Sequence, residues 1–124
     1  MKKFLITGGS GFIGTNFINF LSFKKHKILN IDKISKISTP DNFKKIYDKK
    51  KYSLVRNNLE DPNKVFQILN KFQPDYIINF AAESHVDRSI NDPLYFIKNN
   101  INSAINLFHA YCQYYKKKKI KLFH

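Results

Sequence analysis

The sequence predicts an α/β domain built on a parallel sheet that is wound in both directions from its first strand. Short apolar runs alternate along the chain with segments of helical apolar spacing, an order that requires parallel strands and right-handed crossover helices. A glycine-rich turn directly follows the first run, which places the reversal of the winding beside the first strand. The expected architecture has three layers and a strand order of about 3-2-1-4-5.

The first strand is the run FLIT at residues 4–7, and the turn is GGSGFIG at residues 8–14. Gly8 allows a sharp turn, Gly11 removes a side chain where the backbone must approach a pyrophosphate, and Gly14 allows close helix–strand packing. The next helix would face phosphates with unpaired N–H groups and about half a positive charge. This order indicates a Rossmann-type dinucleotide site, the alternative being an ordinary strand-turn-helix with a flexible loop.

The second strand, residues 27–31, ends in Asp32. It follows the glycines by roughly 20 residues, where a carboxylate can accept hydrogen bonds from the adenosine ribose. Because a carboxylate repels a 2′-phosphate, Asp32 predicts NAD in preference to NADP, and the neighbouring Lys33 would soften that preference.

The middle of the chain continues the alternation. Residues 33–51 form a polar, lysine-rich connection, expected to be a loop with one short helical turn near residues 43–47. Residues 52–56 alternate like a third strand, and Asp61 with Pro62 then combines an N-cap with proline at the first helical position. One face of this covering helix carries Val65, Phe66, Leu69 and Phe72.

The last elements are two strands around a long helix. Residues 76–80 form a short apolar run typical of a buried parallel strand, and residues 120–124 resemble the start of a fifth strand. Asp92 and Pro93 begin a second covering helix that continues to the lysine run at residues 116–119. Its helical apolar period is carried by Phe96, Ile97, Ile101, Ala104, Ile105, Phe108, Cys112 and Tyr115.

Size and composition fit one domain spanning residues 1–124, with 43% hydrophobic residues to fill its core. The single cysteine, Cys112, excludes an internal disulfide, and we expect a buried thiol in a reducing, cytoplasmic compartment. The four histidines lack ligand spacing, so no metal site is expected. No apolar run is long enough to span a membrane.

The net charge of +13 raises nucleic acid or an anionic membrane as partners. However, the lysines occur in small groups where loops and helix ends are expected, and the aromatic residues are spaced as core rather than as stacking platforms. A solvated surface, with no nucleic-acid or membrane partner, is therefore favoured. A basic nucleic-acid-binding domain on the same scaffold is the remaining alternative, because fold alone does not fix function.

Residues 79–90, NFAAESHVDRSI, follow the fourth strand at the sheet edge where open parallel sheets bind ligands. This stretch closely resembles the corresponding segment of dTDP-glucose 4,6-dehydratases, members of the extended short-chain dehydrogenase/reductase family. The resemblance extends along the chain through residues 8–14, 31–33, 96–97, 100 and 123–124. These enzymes transfer a hydride from C4 of a nucleotide-bound glucose to tightly held NAD, eliminate water across C5 and C6, and return the hydride to C6.

The resemblance also implies which residues contact NAD and the sugar nucleotide. Around NAD, from the pyrophosphate through the ribose and adenine to the nicotinamide, these are Gly8, Gly11, Phe12, Ile13 and Gly14, then Asp32 and Lys33, then Asn58 and Leu59, and then Ala81, Ala82 and Ser84, with Asn99 standing where the family usually has threonine. The implied contacts to the sugar nucleotide are Ser84, His85 and Arg88. His85 also fits a loop histidine bonded to backbone, and Arg88 a local ion pair with Asp87.

The family's catalytic segments, a Thr-Asp-Glu run after the fifth strand and a later Tyr-x-x-x-Lys pair, do not occur in residues 1–124. Tyr115 and Lys119 have the second spacing, but they lie in a covering helix and a lysine run, so we interpret the match as chance. We expect no catalytic residue in this chain, NAD binding without turnover, and a truncated product or fragment whose family homodimer is in doubt. A non-catalytic dinucleotide-binding module and another extended nucleotide-sugar dehydratase or epimerase are the alternatives.

One expectation concerns solution behaviour. Residues 76–80 and 119–124 should lie near an unprotected sheet edge, with apolar surface that monomers rarely expose. We therefore expect the chain to self-associate or to be marginally stable.

Overall fold

A computed structural model describes residues 1–34, 50–84 and 90–124. Within these ranges five parallel strands form one sheet in the order β3-β2-β1-β4-β5. The strands are β1 (Lys3–Thr7), β2 (Lys27–Asp32), β3 (Tyr52–Arg56), β4 (Tyr76–Asn79) and β5 (Lys121–Phe123), and the helices are α1 (Phe12–Ser22), α2 (Pro62–Phe72) and α3 (Pro93–Tyr115). The predicted α/β class and strand order are confirmed, whereas the helical turn predicted near residues 43–47 lies outside the described residues.

The sheet separates two apolar layers, which confirms the three-layer prediction. On one face, α1 packs Ile18 and Leu21 against Ile6 of β1 and Ile28 of β2. On the other face, α2 and α3 cover a larger cluster formed by Leu5, Leu29, Ile31, Leu59, Val65, Leu69, Ile77, Leu107, Ala110, Tyr114 and Ile120. The central strands β1 and β2 are buried on both faces, as a near-continuous apolar sequence requires.

The two predicted cap-and-proline starts are found where the sequence places them. Asp61 Oδ1 accepts hydrogen bonds from the N–H groups of Asn63 and Lys64 at 2.9 and 3.4 Å. Asp92 Oδ1 accepts from the N–H of Tyr95 at 3.0 Å. Each aspartate satisfies donors that the first helical turn leaves without a partner.

Helix α3 packs through a different face from the one that its apolar period suggests. Its buried residues are Ser103, Leu107, Ala110 and Tyr114, whereas Ile97, Ile101 and Ile105 are 54%, 51% and 57% exposed. The small side chains of Ser103 and Ala110 let the helix approach its neighbours closely, and the period alone does not decide which of two adjacent stripes turns inward. The prediction that Cys112 is buried is therefore wrong, because its side chain is exposed.

Strand β4 is an internal strand that lies directly beside the outer strand β5. It pairs with β1 through Ile77 and Leu5 and with β5 through Ile77 and Leu122. Residues 76–78 thus pair on both sides and lie one strand in from the outer strand β5, so both segments named in the expectation are near an edge of the described sheet. The outer strands of the described sheet are β3 and β5. Among the described residues, no helix combines the length and the apolar character that crossing a membrane requires.

Candidate functional site at the carboxyl edge of the sheet

The glycine turn between β1 and α1 is fixed by strand β2. Three successive N–H groups, of residues 8–10, donate in turn to the main-chain oxygen of Ile31 at 2.9 Å, to Asn30 Oδ1 at 3.0 Å and to Asp32 Oδ2 at 2.9 Å. Because these donors point into the protein, the shape of the turn is set by the strand beside it.

Asn30 is a site residue that the sequence analysis missed. Its side chain is fully buried, and its Nδ2 donates to Ser10 Oγ and to the Tyr52 hydroxyl, both at 3.1 Å. Burial raises the pKa of the Tyr52 phenol, which keeps this partner neutral. An amide inside the apolar run Ile28-Leu29-Asn30-Ile31 was the available signal, because a buried amide needs partners.

Gly8 requires glycine for two reasons. Its φ is +67°, in the left-handed region, and a Cβ at this position would lie 2.6 Å from both the nitrogen of Ala81 and the carbonyl carbon of Phe80. The turn therefore packs directly against the backbone that leaves β4.

Gly14 is tightly packed, whereas Gly11 has room for a Cβ. A Cβ on Gly14 would lie 2.5 Å from the carbonyl oxygen of Gly8, so α1 packs directly on the turn. A Cβ on Gly11 would meet its nearest atom at an ordinary 3.4 Å. Gly11 is also the N-cap of α1 and makes no side-chain capping bond, and the next two residues, Phe12 and Ile13, are 85% and 66% exposed. The start of α1 thus combines free backbone N–H donors with the exposed apolar side chains of Phe12 and Ile13. This combination suits a ligand that has an anionic group next to aromatic or sugar rings.

Asp32 has a structural role as well as its predicted one. Its carboxylate is largely buried, with Oδ2 accepting from the N–H of Ser10 and Oδ1 accepting from the N–H of Ile34 at 2.8 Å. Since a carboxylate offers about four lone-pair positions, both oxygens retain capacity for a ribose hydroxyl.

Lys33 and Glu83 connect the two strands that flank β1. The Lys33 Nζ forms an ion pair with Glu83 Oε1, which links the end of β2 to the segment after β4. The backbone of Glu83 is held in turn by Asn100 of α3, whose Oδ1 accepts from the Glu83 N–H at 2.7 Å and whose Nδ2 donates to the Glu83 carbonyl at 3.0 Å. Glu83 and Asn100 were not among the predicted contact residues.

A second polar network joins the ends of β1, β4 and β5. Asn79 Oδ1 accepts from the Thr7 hydroxyl and from the N–H of Ala81, the latter at 3.2 Å. Asn79 Nδ2 lies 2.7 Å from His124 Nδ1, and the His124 ring packs edge-on against Phe108 at 5.3 Å between centroids. Asn79 therefore holds the segment after β4 in the position where it meets the glycine turn.

The remaining predicted contact residues differ in accessibility. Asn58 is exposed at the end of β3, but the side chain of Leu59 is buried in the core cluster, so any contact with an adenine would have to come from its backbone. Ala82 and Ser84 are exposed beside β4, and Asn99 is half-buried, with its Nδ2 3.4 Å from Asn100 Oδ1. His85 and Arg88 lie outside the described residues, so the described part of the site ends at Ser84.

Tyr115 and Lys119 lie at the opposite, amino edge of the sheet. The Lys119 Nζ is 4.0 Å from the centroid of the Tyr115 ring, and both line a cavity with Lys2, Asp75 and Tyr76, where β1 and β4 begin. These positions are separated from the glycine turn by the length of the strands, which supports the interpretation of their spacing as chance.

The two other tyrosines at the end of α3 are also turned away from proton-transfer chemistry. Tyr111 donates its hydroxyl to the carbonyl of Ile120 at 3.1 Å, and Tyr114 is buried in the core cluster. Burial raises the pKa of both phenols, whereas a catalytic tyrosine needs a lowered pKa to accept a proton near neutral pH.

One family of known sequences matches this chain along most of its length. The sequence model of the family described as GDP-mannose 4,6 dehydratase matches residues 5–124. A probable dTDP-glucose 4,6-dehydratase of Sinorhizobium fredii is 34% identical over 113 residues, which are 91% of this chain but 32% of that protein. The chain thus spans about a third of the length of the curated relatives that it matches.

Solved structures show the same relation. The dTDP-glucose 4,6-dehydratase of Bacillus anthracis, in complex with NAD, superposes with a TM-score of 0.79 and 27% identity, covering 98% of this chain and 36% of that one. The UDP-glucose 4-epimerase of Thermus thermophilus, also with NAD, gives a TM-score of 0.77 and 27% identity over 90% of this chain and 34% of that one. The likeness therefore covers most of this chain and about a third of each of these proteins.

Proposed function

Since the chain belongs to the GDP-mannose 4,6-dehydratase family, we propose that residues 1–124 form the NAD-binding part of a dTDP-glucose 4,6-dehydratase. The dehydratase of Bacillus anthracis that resembles this chain was solved with NAD, and the relative from Sinorhizobium fredii is a probable dTDP-glucose 4,6-dehydratase. The resemblance of residues 79–90 to the dehydratases supports the same substrate class.

The observation that carries this proposal is that the protein's own hydrogen bonds already fix the shape of the glycine turn. Strand β2 fixes three N–H groups of the turn, and the space at Gly11 opens beside the uncapped start of α1. A pyrophosphate placed there would accept hydrogen bonds from the first helical N–H groups and would lie at the positive end of the helix. NAD therefore fits the residues present.

The other proposed contacts follow from this placement. Phe12 and Ile13 would cover the pyrophosphate with their exposed side chains, and the free lone pairs of Asp32, beside Lys33, would accept from the adenosine ribose. The remaining proposed NAD contacts are Asn58, the backbone of Leu59, Ala81, Ala82, Ser84 and Asn99. The proposed sugar-nucleotide contacts are Ser84, His85 and Arg88.

Bound NAD would supply the hydride acceptor for oxidation at the sugar. The residues of this chain would hold and orient the cofactor. The Thr-Asp-Glu run to which the resemblance assigns proton transfer does not occur in residues 1–124, and the one Tyr-x-x-x-Lys spacing considered, Tyr115 with Lys119, lies at the opposite edge of the sheet. Each positioned acid or base is worth about 10²–10⁴-fold in rate, so we propose binding without turnover for this chain. We also assign it to the cytoplasm, where its exposed thiol would stay reduced.

Titration calorimetry of the purified chain with NAD and NADP tests the proposal, and an assay for the 4-keto-6-deoxy sugar with dTDP-glucose tests the absence of turnover. We expect saturable NAD binding, weaker NADP binding and no product above a cofactor-only blank. Failure to bind NAD would contradict the cofactor assignment. Product formation would instead show that residues 1–124 contain the catalytic groups.

A further inference from the structure

A lysine directly after the ribose-binding carboxylate presents a problem of specificity. Cationic side chains near the ribose are what dinucleotide sites use to accept the 2′-phosphate of NADP. Lys33 follows Asp32 at the end of β2, so a free Lys33 ammonium would attract NADP and oppose the effect of Asp32. Whether another side chain neutralises the Lys33 ammonium therefore affects which dinucleotide the site selects.

We propose that Glu83 is a specificity-determining residue, which neutralises Lys33 and so withholds from NADP the cation that its 2′-phosphate would need. This inference rests on the proposed function, because it assumes that the adenosine ribose lies at Asp32. It assigns the exclusion of NADP to two carboxylates, one on each side of β1, instead of to Asp32 alone.

The ion pair has the surroundings that this role requires. The Lys33 Nζ contacts Glu83 Oε1, and the two side chains are 33% and 10% exposed. Because the carboxylate is the more buried partner, the pair is less screened by water and salt than an ordinary surface pair.

The position of Glu83 is fixed independently of Lys33. Asn100 binds both backbone groups of Glu83, at 2.7 and 3.0 Å, so helix α3 holds the residue in place. A carboxylate held in this way needs little ordering to meet the lysine, which favours the pair over one formed between two mobile side chains.

Asp32 complements Glu83 without replacing it. Both Asp32 oxygens accept backbone N–H groups, from Ser10 and Ile34, and these bonds direct the carboxylate toward the turn. Asp32, Lys33 and Glu83 together carry a net charge of −1, so a 2′-phosphate would meet repulsion where a ribose hydroxyl would find acceptors.

The test measures dissociation constants of the 124-residue chain for NAD and NADP by titration calorimetry. In Glu83→Gln, which keeps the shape and removes the charge, we expect NADP binding to tighten by about tenfold and NAD binding to change by less than about threefold. Adding Lys33→Gln to Glu83→Gln should abolish that gain. Lys33→Gln alone leaves the Glu83 carboxylate without its cation, so we expect it to weaken NADP binding and never to tighten it.

A matched control removes a carboxylate from an ion pair at the other end of the sheet. Asp75 Oδ1 lies 3.0 Å from Lys118 Nζ, and Asp75→Asn should leave the ratio of NAD to NADP affinity unchanged. The inference is overturned if the wild-type chain binds NAD and Glu83→Gln leaves that ratio within about twofold, or if the gain in NADP affinity of Glu83→Gln persists after Lys33→Gln is added. A wild-type chain that binds no NAD would overturn the proposed function and this inference with it.

Discussion

The amino and carboxyl edges of the sheet both hold backbone with polar side chains, but they use different chemistry. At the amino edge, Asp75 accepts from the N–H of Lys3 at 2.9 Å and from Lys118 Nζ at 3.0 Å. Lys118 also donates to the carbonyls of Gln73 and Pro74, at 3.3 and 3.1 Å. The long side chain of Lys118 therefore satisfies the carbonyl groups that follow the end of helix α2.

At the carboxyl edge, short side chains that belong to the strands take this role. Asn30, Asp32 and Asn79 bind N–H groups of the glycine turn and of the segment after β4. These side chains stay below the turn and leave the start of α1 uncapped. At the amino edge, side chains satisfy the backbone groups that would otherwise face solvent. At the carboxyl edge, the strand side chains fix the glycine turn but leave the first N–H groups of α1 free, as a ligand site requires.

The largest expected effect comes from placing a methyl group at the carboxyl edge. Gly8→Ala would combine a left-handed backbone with a 2.6 Å approach to the backbone after β4. We expect the free energy of unfolding to fall by at least about 3 kcal/mol, with loss of NAD binding. Thermal denaturation and calorimetry measure both quantities.

Gly11→Ala separates the two consequences. Its Cβ would meet its nearest atom at an ordinary distance of 3.4 Å, so stability should change by less than about 1 kcal/mol. The same methyl group would enter the proposed pyrophosphate space, and NAD binding should weaken by tenfold or more, about 1.4 kcal/mol. Undiminished NAD binding by Gly11→Ala would contradict the placement of the pyrophosphate.

The next effect tests whether β2 sets the shape of the turn. Asn30→Leu would remove three hydrogen bonds and leave the Gly9 N–H buried without its acceptor. We expect a loss of about 2–4 kcal/mol in the free energy of unfolding. The control Asn63→Ala, at an exposed position of α2, should cost less than about 0.5 kcal/mol. Equal stability of both variants would mean that the turn does not depend on Asn30.

At the amino edge the expected effect is smaller and depends on pH. The hydrogen bond from the Lys3 N–H, with Lys118 beside it, lowers the pKa of Asp75 from its ordinary value of 3.8. Because the folded pKa is the lower one, the contribution to stability is present above the unfolded pKa and is lost as pH falls through the folded pKa. Asp75→Asn should thus lose about 1–2 kcal/mol near neutral pH.

Urea denaturation at several pH values measures this contribution. The difference between wild type and Asp75→Asn should begin to shrink as pH falls below about 4 and should be lost once pH is below the lowered folded pKa, where both side chains are uncharged. A difference that stays constant with pH would show that the carboxylate charge has no part in closing the amino edge.

The comparison also shows which features the sequence could reveal. The capped starts at Asp61 and Asp92, the turn at Gly8 and the close packing at Gly14 depend on local chemistry, and they were predictable. The strand order was predictable from the alternation of strands and helices and from the place of the glycine turn. The clamps formed by Asn30 and Asn100 were not, because each joins elements that are distant in sequence. An asparagine pattern alone does not say which distant backbone group will be its partner.

Helix α3 illustrates the same limit for apolar residues. Its sequence carries two neighbouring stripes, and only packing against α2 and the sheet selects the one with Ser103 and Leu107. The other stripe, with Ile97, Ile101 and Ile105, remains exposed. Hydrophobic spacing therefore predicted the helix correctly but assigned it the wrong inner face.

Substitutions in that exposed stripe should have the smallest effect on stability. They also serve as a control for the substitutions at the two sheet edges. Ile101→Lys with Ile105→Lys replaces apolar side chains that are 51% and 57% exposed, so the free energy of unfolding should change by less than about 0.5 kcal/mol per site. If the wild-type chain self-associates through this stripe, the double variant should associate less, because exposed apolar surface favours association, and sedimentation velocity at several concentrations measures this. NAD binding and the acid sensitivity due to Asp75 should stay unchanged, since neither isoleucine is a proposed NAD contact or a partner of Asp75. If association persists undiminished in the double variant, the exposed edge of β5 becomes the surface to test.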